Sequence, residues 1–155
     1  MRKLLFAVLL CLAVGALAVP AAFADSPHFI GTPSVSKSLS TGLTVSGKAA
    51  GLGNGPVTAF LTASSVNATF ECVNHGKNVA PGQPVVLSNV TGPTQTITPR
   101  NGQITFSPTL PPPPTPSPSV DCPNPNWTVK IASLTYHDVV LHVGPLVANL
   151  GTIDP

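Results

Sequence analysis

The sequence predicts an all-β protein, an immunoglobulin-like β-sandwich of about 7–9 antiparallel strands closed by one disulfide. Three observations carry that prediction. Short runs rich in Val, Ile and Thr alternate apolar with polar residues, most clearly in Val66-Asn67-Ala68-Thr69-Phe70-Glu71-Cys72, which is the period of two of a half-buried strand. Nineteen Pro and 13 Gly in 155 residues leave no stretch beyond the leader that holds a 3.6-residue apolar period over three turns. Two cysteines, Cys72 and Cys122, remain once the leader is set aside.

The leader is read from Met1-Arg2-Lys3, the apolar run from Leu4 to Val19, and the small-residue site Ala22-Phe23-Ala24, the three parts of a signal peptide. Residues 1–24 are assigned to it, with cleavage after Ala24, and residues 25–155 to a single β-sandwich domain. An apolar run of about 16 residues is short of the ~20 that span a bilayer. Cys11 is preceded by Leu10, not by the small residue of a lipoprotein site. Loss of Arg2 and Lys3 leaves Lys37, Lys48, Lys77, Arg100 and Lys130 opposite Asp25, Glu71, Asp121, Asp138 and Asp154, so the mature chain is neutral. Such a chain has no electrostatic footprint for nucleic acid or anionic lipid, and neither is expected as a partner after signal cleavage.

Two cysteines in an exported chain allow one internal pairing, Cys72 with Cys122, against the alternatives of two buried thiols or an intermolecular bridge. Closing the loop between them stabilises by roughly 4 kcal/mol on the chain-entropy account. Cys72 falls on the apolar side of its alternating strand and so points into the core, the orientation of a staple between two sheets.

Along the chain, residues 26–31 predict an edge strand that continues through Ser34-Val35-Ser36 to Leu43-Thr44-Val45-Ser46-Gly47. The Gly51-Leu52-Gly53-Asn54-Gly55-Pro56 segment is a turn, because glycine and asparagine accept positive φ and proline ends pairing. Residues 57–63 and 66–72 read as two strands separated at Ser64-Ser65. A polar loop over 74–84 precedes a strand at 85–91. The Asn101-Gly102 pair suits a two-residue hairpin and predicts 94–98 and 103–107 as partners. The proline-rich run 111–118 donates no ladder hydrogen bonds and is read as a stiff polyproline II surface crossover within the domain. Trp127 to Ile131 begins another strand, a phase change at Ala132-Ser133 predicts a bulge, His137-Asp138 reads as a turn, and 139–143 and 146–150 complete the set.

Residues capable of chemistry are sparse. Glu71, Asp121 and Asp138 are the carboxylates away from the termini, none close in sequence to another, as paired acid–base work would require. No Gly-x-Ser-x-Gly elbow and no phosphate-cradling Gly-x4-Gly-Lys-Ser/Thr loop occurs. His28, His75, His137 and His142 have no chelating spacing, whereas a zinc site needs three or four converging ligands. Glu71 and His75 are a candidate same-face pair, and His137 and His142 are placed on either side of a hairpin. No catalytic, cofactor or metal residue is assigned, and no cofactor is expected. Asn67-Ala-Thr69, Asn89-Val-Thr91 and Asn126-Trp-Thr128 match the N-glycosylation sequon. Trp127 is expected to pack against the bridge, by analogy with immunoglobulin domains.

The blocks Gly51-Leu-Gly-Asn-Gly55, Cys72-Val-Asn-His-Gly-Lys-Asn78, Asn101-Gly-Gln-Ile-Thr-Phe106 and Cys122-Pro-Asn-Pro-Asn-Trp-Thr128 resemble a group of small secreted actinobacterial β-sandwich proteins of unassigned function. The Cys-Pro-Asn-Pro-Asn-Trp block is the most specific part. The resemblance implies a bacterial extracellular location and the same cysteine pair, and it supplies no catalytic residue. The tetraproline run and the short tail after Val143 depart from the group. The expected function is that of a secreted, non-catalytic extracellular or cell-surface module. Its partner would be an extracellular protein, the cell wall or a small molecule. The alternative is a small-molecule carrier holding its ligand in a cleft of the sandwich, and a hydrolase using Glu71 or His75 stands third.

Overall fold

The computed structural model describes residues 26–115 and 120–154. The assigned signal peptide, residue 25, and residues 116–118 of the proline-rich run lie outside that range. Ten strand segments follow in order: β1 His28–Ser38, β2 Gly42–Ala50, β3 Val57–Val73, β4 Val79–Ala80, β5 Pro84–Thr91, β6 Gln95–Ile97, β7 Ile104–Phe106, β8 Thr109–Leu110, β9 Thr128–Val143 and β10 Leu146–Ile153. All pairing is antiparallel, in two sheets. Sheet A is ordered β1-β2-β7, with β8 also on β2; sheet B is ordered β10-β9-β3, with β4, β5 and β6 placed successively along the far edge of β3. The ten segments thus fill seven strand positions, the number in an immunoglobulin-type sandwich.

The inner faces follow from alternation. Sheet A contributes Leu43, Val45, Ala49, Ile104, Phe106 and Leu110, and sheet B contributes Leu61, Val66, Phe70, Tyr136, Val139 and Leu141, all buried in one cluster. Phe29 on β1 meets the Phe106 ring edge to face at 5.9 Å. Tyr136 carries a buried polar tie between the layers: its hydroxyl donates to the Leu110 carbonyl at 3.1 Å.

Several expectations change. Residues 57–63 and 66–72 form one 17-residue strand, and His137-Asp138 is no turn but lies inside the 16-residue β9. In both strands the apolar phase breaks while pairing continues in one register, Thr62 with Val140 before the break and Ser65 with His137 after it, so the two partners slip together rather than stopping. The bulge expected at Ala132-Ser133 is present, since Thr69 pairs with Ser133 while Phe70 pairs with Ile131.

The Asn101-Gly102 turn also forms, with φ of 52° and 71°, both positive as a type I′ turn demands. Arg100 and Gln103 exchange backbone hydrogen bonds at 2.9 and 3.0 Å. The strands flanking the turn nevertheless part: β6 joins β3 in sheet B and β7 joins β2 in sheet A. Ile104 and Phe106 are claimed by the core of sheet A, which draws β7 away from β6. The Gln95 side chain replaces the missing backbone pairing. Its amide donates to the Ser107 carbonyl at 2.8 Å and its oxygen accepts from the Ser107 N–H at 3.2 Å, so one side chain joins the two sheets at this edge.

Candidate functional site

Cys72 and Cys122 are bonded, with their Cα atoms 5.7 Å apart. Cys72 faces the core from β3, as its alternation requires. Cys122, however, is not on sheet A, and the bond is no staple between two sheets. It sits in the coil that carries the chain from β8 to β9. The reason is register: Cys72 pairs with Val129 and Val73 with Thr128, so the residues just ahead of β9 arrive at the end of sheet B where Cys72 already lies. The bond therefore pins the crossover to the central strand of sheet B. Beyond it, the Asn124 side-chain oxygen accepts from the Asn126 N–H at 3.1 Å, and the Asn124 carbonyl accepts from the Trp127 N–H at 3.1 Å. This local turn delivers Trp127 half-buried against the core, beside the strand start.

The residues singled out for chemistry are not gathered into one place. Glu71 pairs across the strand with Lys130, whereas His75 lies beyond the end of β3 in the exposed turn closed by Asn74 and Asn78, so the two share no strand face. His137 and His142 do not flank a hairpin. Both project from the outer face of β9, because Tyr136, Leu141 and Val143 point inward. Each has its own partner: His137 Nε2 lies 3.1 Å from Asn67 Nδ2, and His142 Nε2 lies 3.2 Å from Thr62 Oγ1 while its ring stacks on Phe60 at 4.5 Å. Among the described residues no three His, Cys, Asp or Glu side chains converge as metal ligands.

A row of phase breaks crosses the whole of sheet B. The inward-facing set shifts between Leu87 and Val90 in β5, Ala63 and Val66 in β3, Tyr136 and Val139 in β9, and Leu150 and Ile153 in β10. Pairing places these breaks side by side, since Ala63 faces Val90, Ser65 faces both Ser88 and His137, and Val139 faces Gly151. Asn89, Asp138 and Gly151 take the left-handed backbone there, at φ of 52°, 48° and 72°. Asn, Asp and Gly are the residues that tolerate it best. Ser64 Oγ donates to Asp138 Oδ2 at 2.8 Å and lies 3.2 Å from the His137 carbonyl. A depression of about 460 Å³ lined by Ser64, Asn89 and Asp138 marks this row on the outer face. The signal for it was present in the sequence as the breaks at Ser64-Ser65 and His137-Asp138, which read there as strand ends.

A larger cleft, of about 610 Å³, opens between the sheets where edge strand β1 meets edge strand β10. Val35, Leu150 and Ile153 supply apolar wall, and Thr32, Asn149 and Thr152 supply polar groups. Lys37 Nζ reaches across to the Asp154 carbonyl, and the Asp154 carboxylate accepts from Thr135 Oγ1 at 2.7 Å. Nothing in the alternation of β10 announced this opening. It exists because Val35 and Lys37, paired with the buried Val45 and Leu43, point inward at an edge that sheet B does not fully cover.

No family model, no curated protein and no solved structure matches the chain. Among the described residues, no helix is long and apolar enough to cross a membrane.

Proposed function

We propose that the protein is a secreted, non-catalytic extracellular module that binds a partner through the surfaces of a rigid sandwich. The observation that carries this reading is the Cys72–Cys122 bond, which persists in the oxidising space outside the cytosol and fits the leader of residues 1–24. Four titratable side chains engage neighbouring segments, Asp138 with Ser64, Asp154 with Thr135, His137 with Asn67 and His142 with Thr62, and Glu71 and His75 do not share a strand face. The partner is an extracellular protein, a cell-wall polymer or a small molecule, and bacterial origin belongs to the same reading.

The second reading, a carrier of a small molecule, is favoured by one feature, the β1–β10 cleft. Its volume of about 610 Å³ falls within the range of pockets that enclose small organic ligands, roughly 300–1,000 Å³. Native mass spectrometry of the protein recovered from its own culture medium separates the two. A stoichiometric organic adduct supports the carrier. A mass equal to that of the bare chain, together with retention on cell-wall material, supports the module, and loss of both signals defeats both readings. Turnover abolished by Glu71→Gln or His75→Ala would replace them with a hydrolase.

A further inference from the structure

We propose that Lys48 and Arg100 form a binding site for an oxyanion group, a carboxylate, phosphate or sulfate borne by a small molecule, at the edge of the sandwich where β6 and β7 part. Both side chains line one cavity of about 350 Å³, together with Thr98, Thr105, Gln103 and Ile97. Its lining contains no carboxylate. Each cation is fixed at its root. Lys48 lies between Ile30 of β1 and Thr105 of β7 in the sheet, and Arg100 is held by its exchanged backbone bonds with Gln103 across the Asn101-Gly102 turn. The parting of β6 and β7 thus leaves Arg100 and Lys48 on one cavity.

Charge is divided between the layers in a way that favours an anion here. The strands of sheet A contain no Asp or Glu. The described carboxylates are Glu71 and Asp138 on sheet B, Asp121 in the coil ahead of β9, and Asp154 just after β10. No carboxylate in the cavity offsets Lys48 and Arg100, and an anion placed there is attracted by both. The guanidinium offers a planar fork that pairs with two oxygens of such a group, the ammonium offers a point charge, and the threonine hydroxyls can donate. The cavity exceeds a single oxyanion in size, so the group arrives on a larger molecule whose apolar part meets Ile97. This site lies on a different face from the β1–β10 cleft and does not rest on either reading of it.

The test is an amide-shift titration of the ¹⁵N-labelled, disulfide-bonded chain from residue 25 onward with inorganic phosphate, sulfate and acetate. Ionic strength is held constant with chloride. The expected result is saturable shifts at Lys48, Arg100, Gln103 and Thr105, weakened at least about tenfold in the K48Q/R100Q variant and unchanged in K130Q. The preferred anion among the three then identifies the group the natural ligand carries. The proposal is overturned by any of three results: no saturable shift at those amides, equal shifts on adding chloride, or an unaltered titration in the double variant. Both substitutions are at exposed positions, and the remaining amides report whether the variant is folded. Should it fail to fold, the shift map of the unmodified chain decides alone.

Discussion

Tyr136 is the only tyrosine of the chain, and it is fully buried between the sheets with its hydroxyl on the Leu110 carbonyl. Burial disfavours the phenolate and pushes its pKa up to about 12 from the ordinary 10.0. The unfolded chain then loses this proton near pH 10 while the folded chain keeps it, so the unfolded state binds fewer protons and stability falls as pH rises. The window runs from about pH 10 to about pH 12 and amounts to roughly 2–3 kcal/mol by its upper end. Phenolate absorbance near 295 nm should rise with a midpoint about two units higher in the native protein than in denaturant. A native midpoint equal to the denatured one would place the hydroxyl in water. The side chain's inward direction was legible in the sequence as part of the Leu134-Thr135-Tyr136 alternation. Its bond to Leu110 was not, because the two residues come from different sheets and no local pattern relates them.

At the scale of elements, strand identity was legible and strand continuity was not. Val66 to Cys72 alternates without a fault, so its direction into the core follows from the pleat alone. At Ser64-Ser65 and His137-Asp138 the alternation slips, and such a slip either ends the strand at a turn or is matched by the partner strands so that pairing runs on. Only the neighbouring strands decide between them. Here β5, β3, β9 and β10 slip at one level, which preserves every ladder on both sides. Asp138 is the hinge of this row, both by its φ of 48° and by accepting from Ser64. Asp138→Ala should cost about 1–2 kcal/mol, the sum of a lost acceptor and a side chain ill-suited to the left-handed backbone. Asp138→Gly should cost less, since glycine adopts that backbone freely. Urea unfolding of the two variants checks the order. Equal destabilisation would mean the conformational part is negligible. The Asn101-Gly102 signal was likewise sound for the turn and misleading for its strands, because a turn's chemistry extends two residues while the destination of β7 is set by where Ile104 and Phe106 are buried.

For the molecule as a whole, the composition made the sandwich legible: abundant Pro and Gly, short apolar runs, and one cysteine on an inward face. The open edge between β1 and β10 and the charge division between the sheets were not legible, since both depend on which strand ends up beside which. The disulfide closes the account at this scale. It restrains the β8–β9 crossover, whose proline run enters no ladder over residues 111–115, against the strand at the centre of sheet B. Replacing both cysteines by serine should lower the unfolding free energy by about 4 kcal/mol if the closed loop of the unfolded chain is the main effect, measured by urea denaturation against the unmodified protein. The most direct test of the account is peptide mapping of the exported protein, digested without reduction after alkylation in denaturant. The predicted result is a single linked peptide pair containing Cys72 and Cys122, with neither residue alkylated. Alkylation of both cysteines would contradict the tethered crossover and, with it, the reading of the protein as a disulfide-held extracellular module.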